Sequence, residues 1–286
     1  MEPALYIVAT PIGNLGDISR RAVEVLGAAD LVAAEDTRHT GQLLASLGIR
    51  ATLLAYHEHS APATGERLRD AVAAGQCVAL VSDAGTPTIS DPGYRLVRTV
   101  QEAGLPVVPV PGPCALIAAL SASGLPSDRF SFGGFLPAKR EARRQRLALA
   151  ARADDTQLFY EAPHRIRDTL GDLVDICGPA REAGLARELT KRFETVRRAP
   201  LGELLAWVEA DSNQERGEIV LMLAPDVAAA PVLDDDALLD LLVDLAELVP
   251  ARQAAKLLAR HSTSSARELY SALLAAREGR GGASEP

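Results

Sequence analysis

The chain has 286 residues, of which 48% are apolar and 24% charged, and a formal net charge of −8. That is ordinary globular composition, long enough for one large or two modest domains. It excludes a generic nucleic-acid coat protein, which would be basic overall, and no apolar run approaches the roughly eighteen residues that would suggest a membrane-spanning helix.

Residues 1–120 alternate between two patterns. ALYIVAT reads as a strand and ISRRAVEVLGAA as a helix; DLVAAE and TGQLLASLGI repeat the pair. TLLAY with GERLRDAVAAG, CVALVS with GYRLVRTVQEAG, and VVPV with CALIAALSAS follow. The strands are continuous apolar runs, which is the pattern of a parallel sheet buried on both faces. This predicts an open α/β domain over 1–120.

Around GLPSDRFSFGGFLP, residues 124–137, the composition turns to Gly, Pro and aromatics, and a second α/β domain with a mixed sheet is expected over 121–225. FSFGGF opens it, an Arg-rich helix runs from Lys139 to about Ala153, and TQLFYEA is a strand. PHRIRDTLGDLVDIC is a helix; AGLARELT, ETVRRAP and EIVLMLA are strands, with LGELLAWVEA helical before the last. Residues 226–286 read as a linker, DVAAAPVLDDD, then three helical segments capped at Asp235 or Asp236 and at Ser264 or Ser265, then a frayed GRGGASEP. The opening MEPALYIVATP lacks the basic region and apolar stretch of a signal peptide. Cys77, Cys114 and Cys177 lie far apart with no CxxC, so neither a disulfide framework nor a cysteine zinc site is expected. The expected setting is cytoplasmic.

In open α/β sheets, ligands sit beyond the carboxyl ends of the strands. Three post-strand loops of the first domain are unusual. TPIGNLGD, residues 10–17, lacks the three glycines of a dinucleotide fingerprint; it is either a turn capped by Asp17 or a ligand-approach loop. EDTRHT, residues 35–40, reads as a helix N-cap at Asp36 or Thr37. SDAGTPTISDPG, residues 82–93, is far longer than a strand-to-helix turn requires. Asp83 is placed to accept hydrogen bonds from a ligand, Gly85 lets backbone approach one, and Pro87 and Pro92 stiffen the loop. Asp91-Pro92-Gly93 is read as a cap of the next helix. Polar groups without a basic residue suit a neutral or positive ligand and suit a triphosphate badly.

Basic charge is concentrated in two runs, KREARRQR at 139–146 and RELTKRFETVRR at 187–198, each open to reading as a solvated face or as part of a polyanion site. His57 and His59 in AYHEHS suit a surface turn or a polar edge facing substrate better than a metal site, and no metal is expected.

VATPIGNLGDISRRA, AEDTRHTGQLL, LVSDAGTPTISDPG, VPGPCALIAAL and FYEAPHRI occur in this order, and together they are specific. On these motifs the chain, from about residue 4 to residue 224, resembles the tetrapyrrole-methylase superfamily, in its branch of small-subunit ribosomal RNA 2′-O-methyltransferases of type I. The resemblance implies two α/β domains of the class III methyltransferase type with a small helical extension, and S-adenosylmethionine folded in the cleft between them. It also implies methyl transfer to the ribose 2′-hydroxyl of a cytidine in the decoding region of small-subunit RNA, by a homodimer.

Carried over by position, the cofactor contacts are Pro11 and Gly13; Asp83, Ala84, Gly85, Thr86 and Ile89; Ala115 and the Ala118–Ser121 turn, including Ser121; Phe159, Tyr160 and Glu161; and Leu185, Ala186, Leu223 and Ala224. The acceptor hydroxyl must lose a proton, and Glu35 and Lys191 are the catalytic candidates, with Asp36, His57 and Glu161 also in reach. Arg140, Arg143, Arg144 and Arg146, with Arg197 and Arg198, are expected to track RNA phosphates, which position without specifying sequence. The same fold could methylate a tetrapyrrole or a modified histidine, and RQAAKLLARHSTSSARELYSALL at the end could be a nucleic-acid contact or a packing module.

Overall fold

The computed structural model describes residues 1–57, 59–226, 235–259, 262 and 264–281, without the side chains of 235–237 and 277–281. Most of the expected linker at 226–236 and of the expected frayed end lies outside the described residues, as do the side chains of the expected caps Asp235 and Asp236.

Residues 1–226 form one compact unit built on two sheets. The first holds β1 (Ala4–Val8), β2 (Leu31–Ala34), β3 (Leu53–Ala55), β4 (Cys77–Val81) and β5 (Val107–Val110), all parallel, in the order β3-β2-β4-β1-β5. Helices α1 (Arg20–Ala28) and α2 (Thr37–Ser46) bury Val25, Leu26 and Leu44 against one face. On the other face α3 (Pro62–Ala73) and α4 (Tyr94–Glu102) bury Leu68, Val72, Leu96 and Val100. Every residue of CVALV is buried, as a strand covered on both faces requires.

The second sheet joins β6 (Phe130–Phe135), β7 (Thr156–Glu161), β8 (Glu182–Arg187), β9 (Thr195–Pro200) and β10 (Ile219–Leu223) in the order β6-β7-β10-β8-β9. Only β6 and β7 run parallel, so the sheet is mixed. Helices α6 (Arg140–Ala150), α7 (Ile166–Cys177) and α8 (Leu201–Ala210) cover one face with Leu147, Ile166, Leu170, Leu201 and Leu204 around Phe159. The opposite face takes α5 (Ala115–Ser123), whose Leu116, Ala119 and Leu120 pack on Leu158, Ala186, Val220 and Met222. Sequence order groups α5 with the first domain, but its apolar side chains bury against the second sheet, so in packing terms the junction falls before Ala115 rather than near residue 120.

The first loop is capped differently from expectation. Asn14 accepts from the Gly16 N–H at 3.0 Å and Ser19 from the Ala22 N–H at 3.1 Å, so the caps are Asn14 and Ser19 rather than Asp17. Asp36 caps α2, as the residue pattern requires, accepting from the N–H groups of Arg38 (2.8 Å) and His39 (3.3 Å).

The second compact unit consists, among the described residues, of α9 (Asp235–Leu248), α10 (Ala251–Leu258) and α11 (Ala266–Gly281) around Leu242, Val243, Ala254, Leu258, Leu269 and Leu273. Ser265 and Glu268 bond reciprocally through a capping box at the start of α11. No helix among the described residues is long and apolar enough to cross a membrane.

Candidate functional site

Strands β1 and β4 are neighbours, so their carboxyl-end loops meet. Thr10 and Gly85 join them by a reciprocal pair of backbone hydrogen bonds, 2.8 and 3.0 Å, and the Thr86 hydroxyl donates to the Pro113 carbonyl at 3.0 Å. Gly85 has φ +82°, a conformation that a side chain would strain. This braced edge faces the second sheet across a cleft of about 380 Å³, within the range of small-molecule sites.

One wall is Ile12, Ala84, Gly85, Thr86, Ile89 and Asp91; the other is Tyr160 to Pro163, Leu189 and Gly217 to Val220, with Cys114, Ala115 and Phe135 between. No lysine, arginine or histidine is among the described residues lining it. The non-glycine residues with positive φ, among those described, are Thr88, Ser90, Glu188 and Thr190. All four lie in the two loops that supply Ile89 and Leu189 to the cleft. Such strain persists only where the surroundings enforce it and gathers at functional sites.

Of the cofactor candidates, Ala84, Gly85, Thr86, Ile89, Ala115 and Tyr160 line the cleft. Burial pushes the Tyr160 hydroxyl up to about 12, while an amide hydrogen bond from Leu116, at the start of α5, opposes the rise. Ala186 lies beneath, in the cluster that supports the cleft floor. Pro11, Gly13 and Asp83 border a separate depression with His39 and Gln42. Asp83 is committed to structure, its Oδ1 accepting from the Asp36 N–H at 3.0 Å.

Other cofactor candidates lie off the cleft. Phe159 is fully buried on the α6–α8 face, because strand alternation turns it away from the cleft that its neighbour Tyr160 meets. Ser121 is exposed and bonds back to the Ala118 carbonyl, off the cleft. Leu185 belongs to the same core as Phe159, as does Leu223, while Ala224 packs on the α5 side.

Among the catalytic candidates, burial first and the Asp83 carboxylate second hold the Glu35 carboxyl above its usual range. Lys191 Nζ sits 2.9 Å from both Glu188 and Glu218. Burial opposes its charge, but these two carboxylates outweigh it and hold the ammonium above its usual value. Glu161 is buried and bonded to Arg165, to the Thr169 hydroxyl (2.7 Å) and to the Ala162 N–H (2.7 Å), which leaves it no free role in proton transfer. The His57 N–H donates to the Ser60 hydroxyl at 2.8 Å, closing a turn. Among the described residues no group of His, Cys, Asp and Glu could hold a metal ion.

The arginines expected to track RNA phosphates also make contacts within the fold. Arg140, Arg143 and Arg144 converge on the buried carboxylate of Asp172 at 3.0, 2.9 and 2.8 Å, and Arg143 is itself buried. Arg146 lies over the Phe159 ring and Arg197 over Trp207, at 5.7 and 5.1 Å. Arg198 donates to the Gly124 carbonyl at 2.6 Å, capping the end of α5.

Residues 4–205 match the family model for tetrapyrrole (corrin/porphyrin) methylases. A protein of Escherichia coli O157:H7 named ribosomal RNA small subunit methyltransferase I is 56% identical over 255 residues, 89% of each chain. The protein of the same name from Vibrio cholerae serotype O1 is 51% identical over 269 residues, 94% of this chain and 93% of that one. The chain belongs to the tetrapyrrole methylase family, in the ribosomal RNA small subunit methyltransferase I branch. The solved uroporphyrin-III-C-methyltransferase of Thermus thermophilus shares the fold, with a TM-score of 0.53 at 22% identity over 82% of this chain and 98% of that one. The family's two-sheet architecture thus accounts for the cleft's position between strand edges.

Sequence reasoning missed Asp91, Glu218, Leu189 and Phe135 as cleft residues. Asp91 was expected to cap α4; the N-cap is instead Gly93, with no side-chain bond, and Asp91 turns to the cleft. The positive φ of Ser90 that turns it leaves no signal in composition.

Proposed function

We infer that the chain transfers the methyl group of S-adenosylmethionine to the ribose 2′-hydroxyl of a cytidine in the decoding region of small-subunit ribosomal RNA, as a homodimer acting on the assembled subunit. The acceptor reading rests on relatives about half identical over nearly the whole chain and named for that RNA. The cofactor reading rests on the make-up of the cleft: apolar walls, closely approached backbone at Gly85, and no cationic side chain among the described lining residues. Those residues fit a cationic sulfonium and would leave a nucleotide polyphosphate without a counter-charge.

When bound, S-adenosylmethionine supplies an electrophilic methyl on positively charged sulfur. Ala84, Gly85 and Thr86 would hold it through backbone, with Ile12, Ile89, Leu189 and Val220 packing on its apolar parts. In-line displacement asks the protein chiefly to align donor and acceptor. Braced loops on both walls meet that demand without a large ordering cost. Glu35, with its raised proton affinity, is the candidate to take the hydroxyl proton, and Lys191, kept as an ammonium, the candidate to hold an acceptor phosphate. Arg140, whose side chain is 70% exposed, and Arg198 keep solvent-facing edges for RNA.

The test is methyl incorporation from labelled S-adenosylmethionine into small subunits from a strain lacking this protein, with a uroporphyrinoid as rival acceptor. Label on a cytidine ribose is the expected result. Label in the tetrapyrrole alone, or in neither, overturns the reading.

A further inference from the structure

Three carboxylates line the cleft: Asp91, Glu161 and Glu218. Glu161 is neutralised by Arg165 and Glu218 by Lys191. Asp91 has no such cation among the described residues. The Ser82 hydroxyl lies beside it and opposes the rise in its proton affinity, Glu35 faces it from the end of β2, Asp83 from the loop after β4, and Tyr160 from β7. His57 stands beyond, against Glu35. Burial, reinforced by the Glu35 and Asp83 carboxylates, pushes the Asp91 carboxyl up to about 6. A half-buried carboxylate surrounded by like charge, in a cavity without a lining cation, is destabilised until a positive group enters.

We propose that Asp91 is the counter-charge that selects a positively charged donor in this cleft. The proposal rests on the reading of the cleft as an S-adenosylmethionine site and identifies the side chain that senses the donor's charge. Ser90, at φ +61°, turns the loop so that Asp91 lines the cavity instead of capping α4. At pH 7.5 the free carboxyl is ionised and the donor gains its full attraction. At pH 5 it is mostly protonated, and donor binding must first drive the proton off.

The test is calorimetric titration of S-adenosylmethionine into the full chain and into Asp91→Asn and Asp91→Glu. Wild type should bind about tenfold more weakly at pH 5 than at pH 7.5, the factor that follows when binding needs a group of pKa about 6 ionised. Repeating the titration at pH 6 in two buffers of different ionisation enthalpy should show protons released. Asp91→Asn should bind more weakly at pH 7.5, lose the pH dependence and release no protons; Asp91→Glu should restore both. A pH-independent wild type, or Asp91→Asn with the wild-type slope and proton release, overturns the proposal while leaving the cofactor reading intact. No heat from wild type at pH 7.5 overturns the cofactor reading itself, and the proposal with it.

Discussion

The stem of Lys191 lies against Gly13. Gly13 has φ +138°, and a Cβ built on it would come within 2.5 Å of Lys191 Cγ and 2.6 Å of Cε. Lys191 cannot simply withdraw, because Glu188 and Glu218 both hold its ammonium. The first loop of one sheet thus packs closely on the β8–β9 loop of the other, at a position that tolerates no side chain. Gly13→Ala is expected to cost about 1–3 kcal/mol through backbone strain and collision, lowering the thermal midpoint by several degrees. The double variant Gly13→Ala/Lys191→Ala should recover the collision part, so a thermodynamic cycle on the pair should show clear coupling.

Asp172 is buried among three guanidinium groups, and removing it would leave Arg143 buried without its partner. Asp172→Ala is expected to destabilise the fold by about 3–5 kcal/mol. Burial works against its ionisation, but hydrogen bonds from Arg144, Arg143 and Arg140 outweigh it and hold its carboxyl below the usual range. The sign follows: the contribution is complete above the ordinary carboxylate pKa near 4 and is lost as pH falls through the lower folded value. Denaturation followed from pH 7 to pH 2 should therefore show wild type losing its advantage over Asp172→Ala only in strongly acid solution. Arg143→Met should lower stability and leave the salt dependence of RNA binding unchanged; a flattened salt slope would return Arg143 to the RNA interface.

The first sheet was legible because its signal is local. Runs such as CVALV, repeated in alternation with helical segments, read as strands of a parallel sheet covered on both faces, and the long loop after β4 is visible as surplus polar sequence. What sequence hid was direction. Phe159 and Tyr160 are adjacent, yet alternation sends one into the core and the other to the cleft, and the sheet's facing is set by helices distant in sequence. Likewise KREARRQR looks like a phosphate track until α7 brings Asp172 beneath it, and Asp91 looks like a helix cap until Ser90 takes positive φ.

Glu161 ends β7 at the cleft wall but is bound on both carboxylate oxygens. Its loss would strand Arg165, whose Nε already has no partner. Glu161→Ala is expected to shift the urea midpoint down by the equivalent of about 3 kcal/mol or more. Glu161→Gln, which keeps the Thr169 bond, should fall between it and wild type. Equal midpoints for all three would contradict the buried ion pair.

Glu35 is the site's remaining test of proton transfer. Its carboxyl is raised first by burial and then by Asp83, while the Asp83 backbone N–H and His57 pull the other way. A group that accepts the hydroxyl proton must be ionised, so at saturating donor the single-turnover rate should fall as pH drops through a value above the ordinary carboxylate range. Asp83→Asn removes one carboxylate's repulsion and should move that inflexion to lower pH. Glu35→Gln should abolish it and, still at saturating donor, slow transfer by about 10²–10⁴-fold. Lys191→Met should slow the reaction yet leave the inflexion in place, since the raised Lys191 ammonium does not titrate near neutrality. A Glu35→Gln enzyme with the wild-type rate and profile would remove Glu35 from the chemistry.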